Sequence, residues 1–200
     1  MKNTFKIASF AIAFAGFALG AKAQSTIAPA SSSATSSNGI IFSVGVEGGI
    51  PTGDLHDYYN FSIGGSLEAD IPVIPNFLFV TVNAGYTGIN GKNNVYGSGD
   101  DATDIQFLPV KAGLKVFPVK YFYIQGEAGA GFALNKSELG FDKTAAFLYC
   151  PQIGIQLPTI GKNYFDAGVF YQGTTDFNSG IDNSKIQYAG LRIAYAFGTK

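Results

Sequence analysis

From Ile40 onward, apolar side chains recur at every second position, and the recurrence is broken by clusters of Gly, Pro, Asn and Asp. A period of two belongs to extended chain with one apolar face, so the pattern predicts strands separated by turns. Eight such segments can be traced. The first sets Phe42, Val44, Val46 and Ile50 against Ser43, Gly45, Glu47 and Gly49, and the second sets Phe61, Ile63, Leu67, Ala69 and Ile71 against Ser62, Ser66, Glu68 and Asp70. Residues 78–86, 108–116, 122–134, 147–157, 165–171 and 191–197 repeat the arrangement, the seventh segment most weakly. Each runs for about 10–14 residues, the length of a tilted strand that crosses a bilayer and longer than the ~5–6 usual in soluble sheets. Long polar connections at 51–60, 88–104, 135–144 and 174–185 alternate with short, mostly proline-marked ones at 72–76, 117–120 and 158–163. That alternation predicts antiparallel neighbours, with every long connection at one end of the sheet.

The second face of the segments decides what kind of sheet this is. Eight of its positions are charged: Glu47, Glu68, Asp70, Lys111, Lys115, Glu127, Asp166 and Arg192. In a barrel dissolved in water they would occupy the core, where unpaired charges cost several kcal/mol each. Turning the barrel inside out removes the conflict, because apolar side chains then meet lipid and the charges pair across the interior. The expected fold is therefore all-β, an eight-stranded antiparallel up-and-down transmembrane β-barrel. At eight strands the interior is just wide enough for side chains to fill, so the inward Gly and Ala read as room for the long charged groups. A polar conduit or gate lined by the same eight residues is the competing reading. Aromatic residues gather at segment ends: Tyr58, Phe61, Phe107, Phe147, Tyr149 and Tyr188 toward the long connections, Phe77, Phe117, Tyr121, Phe165 and Tyr195 toward the short ones. They read as two girdles at the headgroup levels of a membrane.

Composition agrees and narrows the partners. The chain has 200 residues, 46% hydrophobic and 14% charged, with 26 Gly, 18 Phe, 11 Tyr and one Cys. Its net charge is −1, and about −4 once the three lysines near the N-terminus are set aside. A nucleic-acid surface needs the opposite sign, so no nucleic-acid partner is expected. One Cys excludes an internal disulfide framework and any zinc cluster built from Cys pairs.

Residues 1–23 read as a secretory signal: Lys2 and Lys6, an apolar run over 7–19, then Ala21-Lys22-Ala23. The run is too short for a spanning helix, which needs about 20 residues. Residues 24–39, with the Ser/Thr-rich stretch at 31–37, read as a disordered periplasmic tether, and 40–198 as the barrel. The expected location is the cell outer membrane, with both termini periplasmic.

Few residues suggest chemistry. His56 lies in Asp54-Leu55-His56-Asp57 upstream of Ser62 and Ser66. A base, a carboxylate and a hydroxyl could make a nucleophile, but the spacing is unspecific and a solvated loop histidine is expected. The glycines at 126, 129 and 131 lack the strand–turn–helix context of a phosphate loop and read as small barrel-lining residues. Asp100, Asp101 and Asp104 with Asn93 and Asn94 do not follow the ligand spacing of a calcium loop. Cys150 falls on the inward parity as a small buried residue. No cofactor, metal or catalytic residue is expected.

The closing segment Ala189-Gly190-Leu191-Arg192-Ile193-Ala194-Tyr195-Ala196-Phe197, with the leader and the alternating connections, resembles the small outer-membrane β-barrel domains of the OmpA/OmpX-like superfamily. The Gly-rich, Tyr/Phe-rich style is similar to the barrel proteins of Bacteroidetes-type bacteria. The resemblance implies that Gly190, Leu191, Ile193, Tyr195 and Phe197 form the signal read by the barrel-assembly machinery. It further implies outer-membrane lipids as partners, and a structural or surface-interaction role through the long loops toward an unidentified extracellular ligand or protein. A porin-like small-solute channel is the alternative function, with a lipid-modifying enzyme and a soluble periplasmic ligand-binding barrel behind it.

Overall fold

Strands of this length, apolar on one side and Gly-, Ser- and Gln-rich on the other, can satisfy their backbone polar groups only through neighbours on both edges. The chain does so by closing the sheet on itself. In the computed structural model, residues 39–95, 101–178 and 184–199 are described. The leader 1–23, the tether up to residue 38, Asp100 and the middle of the last long connection lie outside them.

The strands are β1 (Ile41–Pro51), β2 (Tyr59–Ile74), β3 (Leu78–Gly91), β4 (Ile105–Val119), β5 (Phe122–Ala133), β6 (Ala145–Pro158), β7 (Asn163–Thr174) and β8 (Gln187–Gly198). One-turn helices α1 (Leu55–Tyr58) and α2 (Lys136–Leu139) sit in the first and third long connections. Each strand pairs antiparallel with the next, and β8 pairs with β1, giving a closed barrel in sequence order. The eight-stranded antiparallel up-and-down fold expected from the sequence is the fold observed.

The alternation sets the two faces as expected. Val46, Ile63, Leu114, Ile153, Val169 and Leu191 lie on the outer wall and are exposed, whereas all eight charged positions are buried inside. The interior is layered along the barrel axis. Ile89, Ile105, Phe107, Leu148, Phe170 and Tyr188 form an apolar cluster at the long-loop end, joined by Phe177 and Ile186 of the last long connection. Ile41, Phe79, Phe117, Tyr123 and Ala196 form a smaller one at the short-turn end. The polar groups lie between.

Three expectations need correction. Pro72 and Pro118 do not mark turns: β2 and β4 run through them, with register irregularities at Pro72/Ile74 and Val116/Val119. A bulge tolerates a residue that cannot donate to the ladder, and the hairpins consequently extend further than the sequence pattern predicts. Phe107, Phe117 and Tyr188 do not belong to outer girdles, because they are buried inside as parts of the two end clusters. The third concerns some of the inward glycines: at Gly45 a Cβ would stand 3.1 Å from Arg192 Nε, as expected of room for a charged chain, but two others differ. At Gly154 and Gly168 a Cβ would stand 2.5 and 2.6 Å from the Tyr123 hydroxyl, so these positions clear space for an aromatic ring rather than for a charged chain.

Two further prolines interrupt the wall itself. Pro109 has no N–H to offer β3, and pairing between β3 and β4 skips from Ala84↔Val110 to Thr87↔Phe107. Pro151 acts alike on the other side, where pairing between β6 and β7 skips from Tyr149↔Gly173 to Gln152↔Phe170.

Candidate functional site

The barrel geometry delivers the eight charged residues to one interior, from β1, β2, β4, β5, β7 and β8. Five are carboxylates and three are cations. Each cation is shared. Lys115 Nζ lies 2.6 Å from Glu68 Oε1 and 2.8 Å from Asp70 Oδ2. Asn83 Nδ2 and Gln125 Nε2 both donate to Glu68 Oε2, at 2.9 and 3.0 Å. Glu68 is thus held from three neighbouring strands, β3, β4 and β5.

Arg192 spreads its fork over four partners. Nη2 donates to Ser43 Oγ at 2.8 Å, Nε to Ser66 Oγ at 3.1 Å and Nη1 to Asp166 Oδ1 at 3.3 Å, while Glu47 Oε1 stands 3.7 Å from Nε. Asp166 Oδ1 also accepts from the Tyr123 hydroxyl at 3.0 Å, and that hydroxyl accepts from Gln152 Nε2 at 2.6 Å. Lys115 Nζ lies 4.9 Å from the centre of the Tyr123 ring, which ties the lysine and arginine groups together.

The third cation sits with a different set. Lys111 Nζ pairs with Glu127 Oε2 at 3.3 Å and donates to Gln172 Oε1 at 3.2 Å and to Cys150 Sγ at 3.3 Å. Thr81 Oγ1 donates to Glu127 Oε1 at 2.9 Å. Gln172 Nε2 donates to the Tyr188 hydroxyl, which donates to Thr87 Oγ1 at 3.4 Å. The ion pairs therefore tie β2, β4 and β5 in one set and β1, β7 and β8 in another, and the neutral members, Ser66 and Tyr123 among them, join the two sets and bring in β3 and β6. Buried ion pairs need such extra hydrogen bonds to offset the loss of water.

Apart from Ser66, named only as a hydroxyl near His56, the neutral members escaped the list of candidates. Ser43, Ser66, Thr81, Thr87, Asn83, Tyr123, Gln125, Gln152, Gln172 and Tyr188 all sit an even number of residues from an inward charge or inward polar neighbour on their own strand. Parity places them on the polar face, as it does Ser43 and Ser66 in the first two segments, and the proximity of that face to the charges was the signal that could have added them.

The other candidates are dispersed. His56 is solvent-exposed on α1, with Nδ1 4.0 Å from Asp57 Oδ1, whereas Ser62 and Ser66 are buried inside the barrel and Ser66 is engaged by Arg192. The glycines at 126, 129 and 131 lie within β5. Asp101 Oδ1 accepts from the Asn94 amide at 3.0 Å and Asp104 Oδ1 from the Gly91 amide at 2.8 Å, so both carboxylates shape the third-to-fourth strand connection. Among the described residues no group of three or more His, Cys, Asp or Glu is placed to hold a metal ion. On β8, Leu191, Ile193 and Tyr195 face outward, Tyr195 packs edge-on against Phe197 at 4.8 Å, and Gly190 faces Phe170.

No family model matches the chain, and no curated protein does. Solved structures are similar to it. The attachment invasion locus protein Ail of Yersinia pestis is 18% identical with a TM-score of 0.47, over 80% of this chain and 99% of that one. The outer membrane protein AlkL, solved in lipid bilayers, is 14% identical with a TM-score of 0.48, over 88% and 97%. The N-terminal β-barrel domain of Pseudomonas aeruginosa OprF is 14% identical with a TM-score of 0.41, over 78% and 97%.

Proposed function

We propose that the chain is an integral outer-membrane β-barrel protein of the OmpA/OmpX-like kind, in the style of Bacteroidetes-type barrels, with a structural and surface-interaction role and no enzymatic activity. The observation that carries this reading is the inversion of polarity. Residues such as Val46 and Leu191, 66% and 60% exposed, stand on the outer wall, while Arg192 and Lys115 are 1% exposed inside. A wall of that kind is stable only against hydrocarbon, and a closed ladder is the sheet that hydrocarbon permits.

The structural role follows from how the interior is used. The network fills the middle of the barrel and the two apolar clusters lie above and below it, an arrangement of a strut rather than a conduit. The loops continue the strut outward. Phe141 stacks on Phe177 at 4.9 Å across two long connections, and Leu55, Tyr59 and Leu139 pack on the same apolar cluster. A platform held in this way suits presentation of loop surface to an extracellular ligand or protein. The leader at 1–23 would direct export, the outward-facing Leu191, Ile193 and Tyr195 with Gly190 and Phe197 would be read by the barrel-assembly machinery, and both termini would lie in the periplasm with the short turns.

Cell fractionation followed by electrophoresis with and without boiling tests the reading. The expected result is an outer-membrane band whose mobility changes on heating, because closed barrels resist SDS until heated. A soluble band with no shift would overturn it in favour of a periplasmic ligand-binding barrel.

A further inference from the structure

The two ends of the barrel differ in charge and in surface. The described parts of the long connections hold seven carboxylates and four lysines. The short connections 75–77, 120–121 and 159–162 hold Lys120 and Lys162 and no carboxylate. Both lysines are exposed, and neither makes an ion pair among the described residues. Lys120 Nζ instead lies 5.3 Å from the centre of the Tyr121 ring.

Around these lysines the alternation of faces breaks down. Pairing of β1 with β2 ends at Ile41↔Asp70, so the last residues of β2 pair with β3 alone and the hairpin projects past its neighbour. Val73 and Ile74 are consecutive, and both are exposed, at 56% and 48%. Phe77 in the same turn and Val119 beside Lys120 are exposed as well. Ile160 is 94% exposed in its turn, next to Gly161 at φ +78°. A rim of projecting aliphatic residues with lysines between them is unfavourable in water and favourable in one place, the boundary between acyl chains and phosphate groups.

We propose that the short-turn rim is a binding surface for the anionic headgroups of a phospholipid leaflet, with Lys120 and Lys162 on the phosphates and Val73, Ile74, Phe77, Val119 and Ile160 set among the chains. This rests on the membrane-spanning reading above and adds a headgroup preference that the reading itself does not require. The carboxylate-rich opposite end gives the preference a direction across the bilayer, since it would be repelled by the same headgroups.

The test uses the full chain refolded into mixed micelles, from which co-purifying lipid is quantified after equilibration with equal phosphatidylglycerol and phosphatidylcholine. The wild type is expected to retain phosphatidylglycerol preferentially at low salt, and each lysine removed to lower the preference roughly fivefold. Lys120→Gln/Lys162→Gln should abolish it, Lys143→Gln on a long loop should leave it intact, and added inorganic phosphate should not compete at millimolar concentration. Because the chain has no Trp, Ile160→Trp provides a depth reporter, expected to be quenched by lipids labelled near the headgroup. Equal retention of the two lipids, a preference that survives the double substitution, or an unquenched solvent-like Trp signal would overturn the proposal. A heat-shifted band in the same samples establishes that the barrel is folded in the micelles, and the cell fractionation above tests the membrane reading separately, so loss of headgroup preference is distinguishable from failure of that reading.

Discussion

Glu47 and Arg192 are register partners across the seam that joins the first strand to the last, with Oε1 and Nε 3.7 Å apart although the residues are separated by nearly the whole barrel sequence. The seam between β1 and β8 is the one that no hairpin turn brings together. Placing the most-shared cation there, bonded also to Ser43 on β1, Ser66 on β2 and Asp166 on β7, makes closure of the barrel and completion of the charge network the same event.

Arg192→Gln is accordingly expected to be among the most damaging single changes in the interior. It would leave Asp166 and Glu47 buried without their cation, a loss of about 3–5 kcal/mol. Glu47→Gln, which removes only the longest of the four contacts, should cost about 1 kcal/mol or less. Urea unfolding of the refolded barrels, followed by the heat-shift band, measures both. Equal effects of the two substitutions would mean that the seam pair, not the wider fork, carries the stability.

Lys115 offers a separate test of what the network is for. Lys115→Met leaves Glu68 and Asp70 facing each other without the ammonium at 2.6 and 2.8 Å, and should also cost about 3–5 kcal/mol. Replacing the three together, Lys115→Met with Glu68→Leu and Asp70→Leu, removes the charges along with their desolvation and should recover most of that loss. Asn83 and Gln125, which both donate to Glu68, would keep a residual cost of about 1–3 kcal/mol for unsatisfied amides. A triple variant as unstable as the single one would show that the cluster contributes shape rather than charge balance.

The fold was legible because each strand repeats one rule, and so was the set of charged residues, since Glu47, Glu68, Lys111 and the rest all fall on the non-apolar parity of their segments. Which charge meets which was not legible. Lys115 finds Asp70 across the stagger of strands β2 to β4, and stagger is a property of the closed barrel, absent from any single segment. Phe107 and Tyr188 were misplaced for a different reason. Their position near segment ends suggested a girdle, while their even spacing from Lys111 and Arg192 pointed inward, and parity prevailed over position. Pro72 and Pro118 misled because proline removes one ladder bond without ending a strand where a bulge absorbs it.

In planar bilayers the barrel is expected to show no steady conductance. Ile89, Phe107, Leu148, Phe170 and Tyr188 lie across the long-loop end, and an ion would have to displace them before meeting the polar layer. Lys111→Ala should remain equally silent, because the apolar layer above it is untouched. Reproducible conductance steps in the wild type that change in Lys111→Ala or Glu127→Ala would instead establish the channel reading.

The wall has its own weak line at the seam between β6 and β7. Pro151 cannot donate to the Tyr171 carbonyl, so two successive residue pairs go unjoined, and under the proposed membrane-spanning reading hydrocarbon would offer no water to substitute. Pro151→Ala supplies the missing N–H. The gain of about 0.5–1.5 kcal/mol from the bond is offset by about 0.4–1 kcal/mol of freedom that alanine returns to the unfolded chain, so global stability should hardly move. Local opening should change much more, because the new bond acts only when the seam is closed. Amide hydrogen exchange over 146–157 and 164–174 is expected to be faster in the wild type than across the intact β1–β8 seam, and to slow in Pro151→Ala while unfolding midpoints coincide. Equal protection of the two seams in the wild type would mean that the flanking Tyr149↔Gly173 and Gln152↔Phe170 pairs already hold the wall shut, and that the proline interrupts pairing without loosening the barrel.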